Sequence, residues 1–349
     1  MNSKSNADIL NEIKILKDSF SGKVLIAAHH YQNEDIISVA DAVGDSYRLA
    51  VIVSQSKADI VVMCGVRFMA ESASILARSG QTVLLPDYNA GCPMADMVSL
   101  EAAEKALASI KKMTGEDAVP LTYMNSWADL KALTGSRGGS ICTSGNAKKI
   151  MAHYLDKGKK ILFMPDKNLG INTSRSLGIT DDEICLVSRD GSISSVGKNA
   201  RIFLWDGYCP IHVEFKKNQV LALRKKYPGI TLMVHPECTE DVVSLSSIAA
   251  STEGMAKEIN SAPLHSVLGV GTEYRFIERM IRENPGKTIV PLEKYCCSDM
   301  DLITPQKLLE VLKACKEGSA ESFHVSVSEQ NALDARKALS TMIEITEGL

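Results

Sequence analysis

The sequence predicts an α/β protein made of three similar three-layer αβα domains, each with a short parallel sheet. Two observations predict it. Short runs rich in Val, Ile and Leu stop abruptly at polar residues and alternate with stretches of helical spacing, the pattern of buried parallel strands joined by helices. The residues that end those runs also recur in the same order three times along the 349 positions. A repeat of about 90 to 120 residues is too long for a solenoid unit and suits three small domains. The length exceeds what one core organises, and 45% hydrophobic with 23% charged residues is ordinary for a globular chain.

In chain order, Ile9, Ile13, Leu16 and Phe20 sit at helical spacing and predict an amphipathic first helix. The first set of strand ends follows: VLIAAHHY (Val24–Tyr31), GDS (Gly44–Ser46), VVMCGV (Val61–Val66) and TVLLPDYNAGC (Thr82–Cys92). The second is PLTYMN (Pro120–Asn125), ICTSGNA (Ile141–Ala147), ILFMPD (Ile161–Asp166) and IFLWDGYC (Ile202–Cys209). The third is TLMVHPEC (Thr231–Cys238), SIAAST (Ser247–Thr252), SVLGVGTE (Ser266–Glu273) and TIVPLEKYCC (Thr288–Cys297). Each set opens on a strand ending in His, Tyr, Asn or Glu, continues with one ending in a small hydroxyl residue, and closes on cysteine. The expected domains are 1–100, 101–209 and 210–300, with helices over 301–349 packing back on the first. Pro305 suits the first turn of one such helix, with Leu308, Leu309 and Leu312 behind it. Ser326 with Glu329 forms a candidate capping box for the next.

With 39 basic against 42 acidic residues and no basic cluster with interleaved aromatics, the chain gives no sign of a nucleic-acid partner. No apolar stretch reaches the roughly 20 residues that span a bilayer. Met1–Asp8 is polar and lacks the core of a signal peptide, so the expectation is a cytoplasmic protein with no membrane attachment. Nine cysteines, an odd number in such a chain, do not suggest a disulfide framework.

Ligands of parallel α/β domains bind beyond the carboxyl ends of strands, so chemistry is sought there. Ser46, Ser144, Ser251 and Thr252 stand where strands enter helices, able to bind anions together with free helix N–H groups; the plain alternative is that each only caps a helix. Of seven histidines, His29, His30, His212 and His235 lie in strand-end turns, which favours acid–base work. Tyr31, Tyr123, Asn125 and Glu237 stand beside them. Cys92, Cys209 and the Cys296–Cys297 pair each close a repeat. Three thiolates from three domains, converging on a shared axis, suggest a soft metal site. The absence of CxxC argues against zinc ribbons and ferredoxin motifs. Cys209-x-x-His212 with His235-x-x-Cys238 is an alternative split zinc site.

The run AHHYQNEDIISVADAVGDS (Ala28–Ser46) resembles the first signature of the quinolinate synthase family. Further resemblances run in family order: CGVRFMAESA (Cys64–Ala73), AGCPMADM (Ala90–Met97), YMNS (Tyr123–Ser126), CTSGNA (Cys142–Ala147), MPDKNLG (Met164–Gly170), WDGYCPIHVEF (Trp205–Phe215), HPEC (His235–Cys238), STEGM (Ser251–Met255) and CSDMDLIT (Cys297–Thr304). Arg67 stands where His is usual, Asp301 where Lys is usual, and Gly135–Ser140 resembles a small insertion. The resemblance implies three αβα domains around a pseudo-threefold axis with a central active site. It implies a [4Fe-4S] cluster on Cys92, Cys209 and Cys297, the last preferred over Cys296 because it matches C-x-x-M through Met300. It further implies condensation of iminoaspartate with dihydroxyacetone phosphate to quinolinate, with loss of phosphate and water, in NAD biosynthesis, and an aspartate-oxidising enzyme as functional partner. Tyr31 and Glu237 then lead as acid–base groups, with His29, His212 and His235 orienting substrate or exchanging protons. His29, Ser46, Tyr123, Asn125, Ser144, His235, Glu237, Ser251 and Thr252 would contact substrate. The competing readings are a zinc hydrolase on His212, His235 and Glu237, and a non-enzymatic iron–sulfur sensor.

Overall fold

Parallel strands cannot be joined by tight turns, so each hands the chain to a crossover, usually a helix. The residues that follow the strands therefore collect at one edge of the sheet. The structure, a computed structural model that describes residues 5–348, contains three such sheets. The chain divides into two compact units, Met1–Cys92 with Cys296–Ser328, and Pro93–Tyr295 with Glu329–Leu349.

The first unit opens with α1 (Asn6–Ser19), capped by reciprocal bonds between Ser5 and Asp8, and it buries Ile9 and Ile13. Then come β1 (Val24–His29), α2 (Glu34–Ile37), β2 (Ala42–Gly44), α3 (Ser46–Gln55), β3 (Ile60–Cys64), α4 (Arg67–Leu76) and β4 (Thr82–Leu84). All pairings are parallel, in the order β2-β1-β3-β4. Late in the chain, α13 (Pro305–Glu317) lies against α1, with Pro305 in its first turn and Thr304 as its N-cap.

The second unit holds two sheets. One is built from α5 (Leu100–Thr114), β5 (Ala118–Tyr123), α6 (Ala128–Ser136), β6 (Ser140–Cys142), α7 (Ala147–Asp156), β7 (Lys160–Met164), α8 (Lys167–Ser176), β8 (Ile184–Val187) and β9 (Ile202–Trp205). Its order is β6-β5-β7-β9-β8. The other comes from α9 (Lys217–Lys226), β10 (Thr231–Val234), α10 (Glu240–Ser244), β11 (Ile248–Ala249), α11 (Thr252–Ser261), β12 (Val267–Gly271), α12 (Tyr274–Glu283) and β13 (Thr288–Pro291), in the order β11-β10-β12-β13.

The four-stranded sheets share one winding (second strand, first, third, fourth), and the five-stranded sheet repeats it with β9 in the fourth place and β8 added outside. Between the first and third strands the connections leave in opposite directions, which opens a crevice at the strand ends. The turns after β1 and β3, β5 and β7, and β10 and β12 are thereby the places to look for chemistry. Each of the strand runs read from the sequence forms a strand, and β8 is an addition. It is a short edge strand with Leu186 exposed. At three of the crossovers the N-terminal turn is set locally: Asp45, Asp166 and Ser251 accept backbone N–H bonds from Arg48, Leu169 and Gly254.

The C-terminal region departs from expectation. Rather than all of 301–349 returning to the first domain, α14 (Glu329–Glu347) packs on α6, β6 and α7 in the second unit. Ala335, Ala338, Leu339 and Met342 form its buried face. The helices approach closely because α6 carries Gly135 at the crossing, where an added Cβ would lie 1.9 Å from the Asp334 carbonyl oxygen. Periodicity marks the apolar face of a helix and says nothing of what will cover it. Gly135→Ala is expected to push α14 away and to cost about 1–3 kcal/mol by overpacking. A lower melting temperature and faster proteolysis of the C-terminal helix would show this; an unchanged melting temperature would contradict it.

Candidate active site

In the first unit His29, the last residue of β1, is buried, and its Nδ1 accepts the Tyr31 backbone N–H at 3.1 Å. The two rings meet edge-on with centroids 4.6 Å apart. Register pairs His29 with Gly44, so Ser46 emerges at the same sheet edge. Asp45 provides the cap of α3, so the Ser46 hydroxyl is not consumed as one.

Cys92 and Cys297 belong to this unit, in adjoining segments. The Gly91 α-carbon faces Asp299, whose Oδ1 would lie 3.5 Å from a Cβ there. Lys307 donates to both Asp87, five residues before Cys92, and the Leu302 carbonyl, five residues after Cys297. Gln32, next to Tyr31, donates to the Met300 carbonyl at 3.0 Å, and the Asp301 N–H donates to the Cys297 carbonyl. Cys297 is half-buried whereas Cys296 is exposed.

The second unit gathers the densest cluster. His212 Nδ1 lies 2.6 Å from Glu237 Oε2 and 3.2 Å from Cys209 Sγ, and its Nε2 lies 3.1 Å from Thr272 Oγ1. His235 stacks on His212 with centroids 4.3 Å apart, and its Nε2 lies 3.1 Å from Ser144 Oγ. Tyr123 donates to Glu237. The turn holding Ser144 abuts Ser251, whose Oγ would lie 3.2 Å from a Cβ on Gly145. Ser251 does cap α11, and buried Thr252 is the first residue of that helix. Asn125 is half-buried, two residues past Tyr123.

Burial sets the charges here. It would push the Glu237 carboxyl up, but His235 and His212, with hydrogen bonds from His212 and Tyr123, outweigh it and hold the group at about 2. Burial, against the pull of Glu237, drives the His235 imidazole down to about 3, so it is neutral. At Asp166 burial first, then the negative charge of Glu237, outweighs the backbone hydrogen bonds and raises the carboxyl well above the ordinary value. One Asp166 oxygen accepts the Leu169 N–H that opens α8, and the other accepts the Cys209 N–H at 3.1 Å.

Burial also sorts the cysteines. It pushes the thiols up at Cys64 (to about 12), Cys142, Cys185, Cys238 and Cys315 (to about 11), which keeps them protonated and unreactive. Cys238 lies in the apolar cluster of Phe215, Val220 and Val242, so it does not complete the alternative split zinc site. Among the described residues, the donor atoms that approach within 4.8 Å of one another and could hold a metal ion belong to Cys209, His212 and Glu237.

The family model described as quinolinate synthetase A protein matches residues 11–344. The quinolinate synthase of Bacillus subtilis (strain 168) is 37% identical over 348 residues, which covers 98% of this chain and 94% of that one. Those of Listeria monocytogenes serovar 1/2a (strain ATCC BAA-679 / EGD-e) and Corynebacterium glutamicum (strain ATCC 13032) are 36% and 37% identical, each over 98% of this chain and over 95% and 88% of the relatives. The chain belongs to the quinolinate synthetase A family.

For a member of this family, sequence motifs located most polar groups of the cluster and missed its supports. Thr272 follows β12, and Asp166 follows β7, both third strands of their sheets. Lys131 is wholly buried in α6 and donates to the Ser126 carbonyl, beneath the turn that carries Tyr123 and Asn125. Position relative to the sheet order was the available signal for Asp166 and Thr272; a lysine in an amphipathic helix gave none.

The Asp87–Lys307 pair has a testable sign. Burial raises the Asp87 carboxyl, but hydrogen bonds and charge from Lys307 and the Asn89 N–H outweigh it and hold the group below its usual range. Its stabilisation is therefore complete above the unfolded carboxylate value of about 3.9 and is lost as pH falls through the lower folded value. Asp87→Asn is expected to lower the melting temperature at pH 7, with the gap to the unaltered chain closing as pH drops below about 4. A gap that widened in acid would reverse the assignment.

Proposed function

We propose that this chain condenses iminoaspartate with dihydroxyacetone phosphate to quinolinate, releasing phosphate and water, as a cytoplasmic enzyme of NAD biosynthesis. The observation that carries the proposal is the buried His212–Glu237 pair, joined by Tyr123 and set beside Cys209, in a chain of this family. No helix among the described residues is long and apolar enough to cross a membrane.

The residues suit an iron–sulfur cluster. Five thiols are kept protonated by burial, which leaves Cys92, Cys209, Cys296 and Cys297, all at the ends of closing strands and none fully buried. Cys92, Cys209 and Cys297 are the ligands in this reading of a [4Fe-4S] cluster. Such a cluster with three protein thiolates keeps one iron open and supplies a Lewis acid for a substrate hydroxyl or carboxylate.

The protein's own groups supply the proton movements. Condensation needs a proton removed from one substrate, and dehydration needs one delivered to a departing hydroxyl. A carboxylate held near 2 keeps its charge at neutral pH, so in the pair Glu237 is the acceptor that faces His212 Nδ1. Thr272 Oγ1 meets the other ring nitrogen, Nε2, and holds the ring in that orientation. In this reading Tyr31 is the second acid–base group, its backbone held by His29. His29 and His235 orient substrate. Tyr123, Asn125, Ser46, Ser144, Ser251 and Thr252 receive the carboxylates and phosphate, and the N-termini of α3, α7 and α11 add backbone donors. Iminoaspartate hydrolyses readily, so an aspartate-oxidising enzyme is the functional partner.

The test is anaerobic purification with iron, sulfide and zinc analysis and a quinolinate assay. About four irons per chain, broad visible absorption and activity lost in air are expected. Stoichiometric zinc without sulfide would overturn the assignment. Cys→Ser at 92, 209 or 297 is expected to remove the cluster and at 296 to spare it; a cluster retained in both the 296 and 297 variants would refute the third ligand. Glu237→Gln is expected to keep its iron and lose about 10²–10⁴ in kcat.

A further inference from the structure

Glu237 projects from the short turn His235–Cys238, which has little internal support. Its local bonds are the Cys238 N–H to the His235 carbonyl at 3.0 Å and a long Glu237 N–H to His235 Nδ1 contact at 3.4 Å. The carbonyls on either side of Glu237, those of Pro236 and Cys238, both turn toward α8. There a single side chain meets them. Asn172 Nδ2 donates to the Pro236 oxygen at 2.8 Å and to the Cys238 oxygen at 2.8 Å. An amide –NH₂ carries two hydrogens in one plane, so one residue can bridge two carbonyls two positions apart. Asn172 is buried, and these bonds cannot be exchanged cheaply for water.

The helix that carries Asn172 is fixed. A Cβ on Gly170 would lie 2.6 Å from Leu204 Cδ2 and 3.0 Å from Phe163 Cδ1, so the α8 backbone packs directly on these two side chains of its sheet. Its first turn is capped by Asp166, whose second oxygen holds the Cys209 N–H. One immobile helix thus grips the thiol turn at its start and the Glu237 turn one and a half turns later.

We infer that Asn172 is a positioning residue that aims Glu237 at His212 Nδ1. The inference rests on the acid–base role proposed above for Glu237. A misplacement of about 1 Å at a reacting group can cost about 10² in rate.

The test uses the cluster-loaded enzyme with Asn172→Asp, which keeps the shape and removes both donors, and with Asn172→Ser, which leaves room for a bridging water should the first fail to fold. Iron and sulfide content are expected to stay normal, because no cysteine is altered. The expected kinetic result is a 10- to 100-fold lower kcat with KM within about threefold, since the substrate-binding side chains remain. In a Glu237→Gln background the same Asn172 change should cost less than about threefold, because the group it aims is already gone. Unchanged kcat in the single variants, or an undiminished loss in the double variant, would overturn the inference. Failure of the underlying reading has a separate signature, full activity in Glu237→Gln alone.

Discussion

A carboxylate almost wholly removed from water survives as an ion only where charge and N–H or O–H donors surround it, and Glu237 is such a group. Its 2.6 Å contact with His212 dictates much of what lies nearby. His212 turns Nδ1 to it, which leaves Nε2 to meet Thr272 Oγ1. His235, stacked on His212, stays neutral and turns its Nε2 toward Ser144. Asp166, close enough to feel the charge, is driven toward its protonated form. Two buried acids a short way apart are thereby pushed in opposite directions by unequal donor sets.

The same logic separates the cysteines. A thiol in an apolar cluster is a small hydrophobe that resists ionisation, and Cys238 shows it one residue past Glu237, while Cys209 sits outside that shell with a backbone amide held by Asp166. Spacing could not distinguish Cys209-x-x-His212 from His235-x-x-Cys238 as donor pairs. Burial distinguishes them at once.

Legibility was uneven for physical reasons. Strands buried on both faces read as continuous apolar runs, and in this winding their polar ends carry the site, so strands and motif residues were visible together. His29, Tyr31, Ser144, Glu237 and the strand-end cysteines were singled out on that basis. Edge strand β8 is an apolar run too, but it lies outside the threefold set of strand ends. Asn172, Lys131 and the partner of α14 were hidden because each depends on what lies across a packed interface. Asn172 reaches a turn 64 residues away, and Gly135 matters only because the Asp334 backbone comes to meet it.

By itself the sequence determined the threefold repeat, the order of its strands and the family, because these follow from hydrophobic period and from motifs a few residues long. Only the tertiary structure decided which polar side chains meet, which thiols are buried, and that α14 belongs to α6. Those outcomes rest on desolvation and close approach between segments far apart in the chain, quantities that have no value until the chain is folded.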